Sequence, residues 1–276
     1  MHYLKFTGNC NRAEFEVRCA QQDFWYHSYY FDNGFVQRGN YNIGLNVVEY
    51  GFPKTMAGMS VLDVGTASGW FATYFEQLGA AVTTVDLRGW CDWDIFNPTR
   101  YAKELAAEKL IPDWVFPDGS ARYFMPINKG FGIMKDLLEL KATFVNARVY
   151  DLCPELFGGK KFDLVFLGSV LMHVRDPIGA VMAARSVCRH RLIANSLILP
   201  GPEDDAHPVM ELLADLNPLW WWRCNKLCLT KWFRGAGFAE INADRTVHLT
   251  VDKPYAAPGE EPDAADQTLY LVDAYV

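Results

Sequence analysis

The chain has 276 residues, a length that suits one large α/β domain or one such domain carrying insertions. Half of the residues are apolar and 14% aromatic, enough for a sizeable core. A net charge of −7 and a pI near 5.4 exclude a protein that grips nucleic acid through its overall field. Met1-His2-Tyr3-Leu4-Lys5 lacks the apolar core of a signal peptide, and no stretch approaches the roughly 20 apolar residues of a membrane span. Seven cysteines without a CxxC pair point to reduced thiols and a cytoplasmic protein. Cys224 and Cys228, one helical turn apart beside Trp222, read as packing, so no metal is expected.

Residues 1–50 read as an aromatic N-terminal extension lying over a main domain of 51–276. In it Asp32-Asn33-Gly34 is a turn between two aromatic-rich runs. A helix is expected near Ile43–Tyr50, stopped by Gly51-Phe52-Pro53. Ser60-Val61-Leu62-Asp63-Val64 is a short strand ending in Gly65-Thr66-Ala67-Ser68-Gly69. An amphipathic helix follows through Trp70, Phe71, Tyr74, Phe75 and Leu78, and Ala81–Asp86 is the next strand. Together they make one right-handed βαβ unit.

Residues 88–140 are about twice the length of a simple crossover and carry Pro98, Pro112, Pro117 and Pro126. They read as a lid-like insertion over the ligand cleft, with helices near Thr99–Lys109 and Gly132–Leu140. Further strands are expected over 142–149, 162–167 and 191–199, with a helix opening at Asp176-Pro177. A loop over 201–222 includes Asp204, Asp205 and His207 in a solvated acidic turn. A helix near Thr230–Ala236, capped by Gly237, and two strands over 239–251 and 268–276 complete the chain.

The Gly65–Gly69 turn is the strongest local signal. Small residues at 65, 67 and 69 let backbone pass close to a ligand. Asp63 separates this turn from a dinucleotide fingerprint, because a carboxylate beside it repels a pyrophosphate and favours the ammonium group of S-adenosyl-L-methionine. Asp86 ends the second strand, where a carboxylate accepts ribose hydroxyls in NAD enzymes as well. Asp151 suits an adenine amine, with Leu87 and Leu152 sandwiching the ring, or else a helix N-cap. Tyr150, Leu167 and Gly168, at neighbouring strand ends, complete the expected cofactor set with Gly65, Thr66, Ala67, Ser68 and Gly69. His173, just beyond the fourth strand, is placed to take a proton from an acceptor, or to bond to neighbouring backbone. Trp220-Trp221-Trp222 cannot all face one core, so at least one lines a surface or pocket, where it would also serve a homodimer.

Val61–Gly65, Val149–Leu152, Phe162–Gly168 and His173–Pro177 together resemble class I S-adenosylmethionine-dependent methyltransferases. The branch most similar is that of tRNA wobble-uridine carboxymethyltransferases and their small-molecule-methylating bacterial relatives. Trp25-Tyr26-His27, Trp221-Trp222, Asn225 and Gly235-Ala236-Gly237-Phe238 share in that likeness. The resemblance implies a Rossmann-like, seven-stranded, mostly parallel sheet with an antiparallel last strand. It also implies a substrate site at Trp25, Tyr26, Trp221, Trp222 and Asn225. Where the tRNA-modifying members carry tyrosine before the histidine, this chain has Met172; it is also acidic, with a short N-terminal region. The expected activity is therefore O- or N-methylation of a small biosynthetic molecule. Alternatives are a tRNA-modifying enzyme, an NAD-type oxidoreductase, and a non-catalytic protein that binds the adenosine cofactor.

Overall fold

The structure, a computed structural model, describes residues 4–8, 10–22, 25–89, 92–94, 128–203, 206–213, 219–252 and 266–276. Seven strands form one sheet: β3 (Ser60–Val64), β4 (Ala81–Asp86), β5 (Thr143–Asn146), β6 (Phe162–Leu167), β7 (Cys188–Leu197), β10 (Glu240–Leu249) and β11 (Gln267–Tyr275). Their spatial order is β10-β11-β7-β6-β3-β4-β5. β3 lies parallel to β4 and β6, β4 to β5, and β6 to β7. Only β11, the last strand, runs against both its neighbours, β7 and β10.

Both faces of the sheet are covered, which is why β3 and β6 read as near-continuous apolar runs. On one face, Val61, Leu164, Phe166 and Ile193 pack under α2 (Trp70–Gln77), α3 (Lys129–Leu137) and the N-terminal segment. On the other, Leu62, Val64, Val165 and Leu167 pack under α4 (Pro177–Val187) and α5 (Lys226–Gly235). The helix starts follow the local sequence. Asp176 caps α4 by accepting from the Gly179 amide, with Pro177 at the first helical position, and Asn225 caps α5 by accepting from the Cys228 amide.

The first 50 residues share the main core. Besides α1 (Arg12–Cys19) they hold a hairpin, β1 (Tyr29–Tyr30) with β2 (Val36–Gln37), around the Asn33-Gly34 turn. Phe6, Trp25, Tyr29 and Phe31 are buried against Trp70 and Phe131. One buried carboxylate ties this segment to the far end of the chain. Asp252 Oδ2 accepts from the Ser28 (2.6 Å) and Tyr30 (2.7 Å) hydroxyls, and Oδ1 from Arg38 (3.2 Å).

Several elements differ from the sequence reading. The helix expected over Ile43–Tyr50 is two 3-10 turns, Ile43–Leu45 and Val47–Tyr50, because Gly44, Asn46 and paired valines give a weak α-helix and Gly51 stops it at φ 65°. α1 was not foreseen, its few apolar positions giving little periodic signal. α3 begins at Lys129 rather than Gly132, α5 at Lys226 rather than Thr230, and β7 at Cys188 rather than Arg191. The third strand stops at Asn146, and Val149–Asp151 is a 3-10 turn. The loop over 201–222 contributes β8 (Met210–Leu212), paired with β9 (Trp222–Cys224). The helix expected over Thr99–Lys109 and the turn residues Asp204 and Asp205 lie outside the described residues.

Asp252→Ala removes a buried acceptor shared by Ser28, Tyr30 and Arg38 and should cost about 1–3 kcal/mol of stability. Urea unfolding checks this; an unchanged midpoint would show that the Asp252 bonds add nothing to what holds the N-terminal segment.

Candidate active site

A cleft of about 860 Å³, its open mouth included, lies at the carboxyl ends of β3, β4 and β6. Ligands of open α/β sheets bind at this edge, where strand order reverses. Here β3 has β4 on one side and β6 on the other.

The β3–α2 turn forms the floor. Gly65 and Gly69 have φ of 78° and 84°, and a Cβ on Gly65 would lie 2.7 Å from Val170 Cγ2. Ala67 also adopts a left-handed φ, 48°, so the alanine at the middle position occupies backbone that favours glycine. Its amide donates to Asp86 Oδ2 (2.8 Å), while the Leu87 amide donates to Oδ1 (2.7 Å). Asp86 is thus a fixed acceptor in the cleft wall. Burial pushes its acid up to about 6, with those two amides opposing.

Asp63 lies behind the turn at 1% exposure, on the face toward Tyr29 rather than on the cleft surface. Burial pushes its acid up to about 7. The Thr66 hydroxyl and Ala72 amide oppose this, and the Asp86 charge adds to it. The Thr66 hydroxyl is close enough to favour the ionised acid, yet neither it nor Asp63 Oδ2 reaches a hydrogen bond of ordinary geometry. The fixed Asp86 carboxylate, beside a turn with no room for a side chain at Gly65, fits a small ligand that brings hydroxyl donors, with the Asp63 acid buried behind it.

The opposite wall is the loop after β6. Gly168, Ser169 and Val170 lead into a 3-10 turn, Leu171–His173, that presents His173. His173 Nδ1 donates to the Leu219 carbonyl at 2.7 Å, so Nε2 carries the lone pair. Nε2 has no hydrogen-bond partner among the described residues. Burial pushes this imidazole down to about 4, with the Leu219 carbonyl opposing. It is therefore neutral at pH 7. Trp93 packs on it with centroids 4.9 Å apart.

Asp94 braces the rim. Its carboxylate accepts from the Tyr150 hydroxyl and from the Arg175 amide (3.0 Å), and its carbonyl accepts from Trp221 Nε1. Trp221 also donates its amide to the Met172 carbonyl at 2.7 Å.

Of the residues expected from sequence, Tyr26, Gly65, Ala67, Asp86, Leu87, Tyr150, Gly168 and His173 line the cleft. Others are placed elsewhere. Trp25 is buried in the core against Tyr29, its indole donating to the Cys19 carbonyl. Asn225 caps α5 and bridges Val209 and His207. Trp222 donates to the Arg175 carbonyl outside the cleft. Asp151 is exposed and accepts from the Arg148 amide, the capping alternative, while Leu152 and Leu167 pack on the α4 side of the sheet. Thr66 and Ser68 are buried in the turn; Ser68 accepts from the His27 amide, and Gly69 packs on Phe131. Sequence reasoning missed Asp92, Asp94, Arg148 and Ser169, which also line the cleft. Only their position after strands β4, β5 and β6 could have signalled them.

An acid whose folded pKa exceeds its unfolded one binds more protons folded than unfolded between the two values. Asp63 is therefore a penalty absent below about pH 4 that grows as pH rises toward about 7. Asp63→Asn should gain stability relative to the parent across that window. Urea midpoints of the pair at several pH values test it; a difference constant with pH would mean that Asp63 stays ionised throughout.

A family model described as a methyltransferase domain matches residues 40–244. Over 203 residues the chain is 26% identical to the tRNA U34 carboxymethyltransferase of Pseudomonas syringae pv. syringae (strain B728a), covering 72% of this chain and 51% of that protein. The same enzyme of Pseudomonas syringae pv. tomato (strain ATCC BAA-871 / DC3000) is 25% identical, with the same coverage. The chain thus spans about half the length of the curated relatives it matches. Among solved structures, the N-terminal domain of EvdMO1 with S-adenosylhomocysteine bound matches with a TM-score of 0.54 at 15% identity, covering 96% of this chain and 97% of that one. With the family match spanning most of its sheet and cleft, this chain belongs to the methyltransferase domain family.

Proposed function

We propose that this chain transfers a methyl group from S-adenosyl-L-methionine to an oxygen or nitrogen of a small molecule. The observation that carries the reading is the cleft itself: a fixed Asp86 acceptor on one wall faces a neutral His173 on the other, its Nε2 unbonded among the described residues. When bound, the cofactor supplies a methyl on a positively charged sulfur. Asp86 would accept the ribose hydroxyls, the backbone at Gly65 and Ala67 would lie against the methionine portion, and Asp63, buried behind the turn, would favour the ammonium group through its field and not by contact. Leu87, Val149 and Tyr150 would enclose the adenine. Asp151, exposed and capping its own turn, is no longer assigned to the adenine.

The acceptor would enter between Tyr26, Trp93 and His173. Their rings exclude water and align the reacting atoms, the main contributions open to a displacement of this kind. The Tyr26 hydroxyl has no partner among the described residues and lines this space, available to an acceptor group. His173 Nε2 would take the proton from a hydroxyl or amine, leaving the imidazolium steadied by the Leu219 carbonyl. A sugar-sized acceptor fits this reading, and the EvdMO1 domain was also crystallised in the presence of S-adenosylhomocysteine and D-fucose.

The likeness to tRNA U34 carboxymethyltransferases favours a second reading, modification of tRNA. Salt-sensitive retention on bulk tRNA would support it.

Calorimetry with S-adenosylhomocysteine, and NAD as control, tests the cofactor. Binding of the first at micromolar or tighter affinity is expected, and binding of NAD instead would overturn the assignment. Asp86→Ala should weaken S-adenosylhomocysteine by about tenfold or more through lost ribose bonds; equal affinity would remove Asp86 from the site. His173→Gln should lower kcat by about 10²–10⁴ while leaving that affinity unchanged. With a base titrating near 4, the parent rate should stay flat from about pH 5.5 to 8 and fall in acid as Nε2 is protonated. A limb near pH 6.5 would assign the proton transfer to another group.

A further inference from the structure

We infer that Asn195, a residue outside the cleft, is a positioning residue that holds the His173 wall in its working shape. The inference concerns the same cleft and rests on the cofactor reading for its functional consequence, though not for its physical one.

Asn195 lies on β7 with no exposed surface, on the face that carries Ile193 and the aromatic ring of Phe166. Its cross-strand partner on that face is Leu271. An amide here is costly unless both its ends are bonded, since an apolar side chain would pack the position without that requirement. Both ends are bonded. Oδ1 accepts from the Ser169 amide, and Nδ2 donates to the Tyr50 hydroxyl at 3.2 Å. Tyr50 is itself locked by rings, stacked on Phe52 and edge-on to Phe71 and Phe166. The amide therefore cannot turn without breaking a bond at each end.

What it holds is a strained point. Ser169 has φ 56°, a left-handed backbone that a side chain other than glycine disfavours. On one side of it Gly168 is jammed against Phe166, where a Cβ would lie 2.6 Å from Cε1. On the other, Val170 closes on Gly65, and its carbonyl accepts from the His173 amide at 2.9 Å. One residue in a disfavoured conformation thus sets the path from β6 to His173, and with it the separation of the two cleft walls. The Asn195 carbonyl oxygen supplies the bond that keeps Ser169 there. Without it the serine relaxes toward an ordinary conformation, moving Val170 off the glycine turn and His173 out of line.

Glycine at 169 accepts the same φ without a clamp, which makes the inference testable by rescue. Four proteins are compared: the parent, Asn195→Ala, Ser169→Gly and the double variant. In Asn195→Ala, amide exchange over residues 168–174 should speed up by about tenfold while β3 and β4 keep parent protection, and affinity for S-adenosylhomocysteine should fall by about tenfold. The double variant should recover that affinity to within about threefold of the parent, because glycine removes the strain the amide opposed. Ser169→Gly alone should fold and melt no lower than the parent.

Uniformly faster exchange across the sheet, or a double variant as weak as Asn195→Ala, would reduce Asn195 to a packing residue. A lower melting temperature for Ser169→Gly would likewise overturn the strained-loop premise. If Asn195→Ala fails to fold, Tyr50→Phe carries the test, since it frees Nδ2 and should loosen 168–174 by about threefold; unchanged exchange there sinks the clamp. Should the parent itself bind no S-adenosylhomocysteine, the cofactor reading fails, and the exchange pattern still decides the clamp.

Discussion

Everything at the cleft depends on Asp86 accepting two backbone amides, one from its own strand end and one from the neighbouring glycine turn. The bond to Ala67 fixes where the β3–α2 turn sits relative to β4. The bond to Leu87 fixes the other carboxylate oxygen. Neither would hold a carboxylate in water against competition. Inside, at 8% exposure, the amides replace the lost solvent and the acid becomes a rigid part of the wall. Asp63, one strand away, shares the burial but keeps one oxygen without a hydrogen bond. Burial raises the pKa of both acids at this turn.

Backbone strain is concentrated in the loops after β3 and β6. Among the described residues three positions other than glycine take a positive φ, and two of them, Ala67 and Ser169, line the cleft from opposite walls. Gly65 lies between them, closed upon by Val170. Strain of this kind persists only where surrounding bonds over-determine it, and here those bonds run outward to Asp86 and Asn195. The site is thus rigid because neighbouring strands, rather than the loops themselves, define it.

The N-terminal residues complete the enclosure. Tyr26 reaches the cleft only because Trp25 and Tyr29 on either side are sunk in the core, and because Ser28 and Tyr30 are anchored on Asp252. One face of this segment is core and the other is a wall of the site.

The amino-acid sequence alone determined the βαβ unit, the glycine turn and the near-continuous apolar strands of a sheet covered on both faces. Those follow from period, propensity and turn chemistry, which act within a few residues. It also marked Asp86, the last residue of one buried strand, and His173, in the loop that follows another. It did not separate Trp25 from Tyr26, because which of two adjacent aromatics faces a cleft depends on the segment beneath them. Asn225 and Asp151 read as site residues yet serve as caps, a role that depends on where each chain turn meets its neighbour. Nor did it mark Asn195 and Asp94, whose partners lie 26 positions away at Ser169 and 81 away at Arg175. Such pairs exist only once strands are in register, so tertiary structure alone decided them.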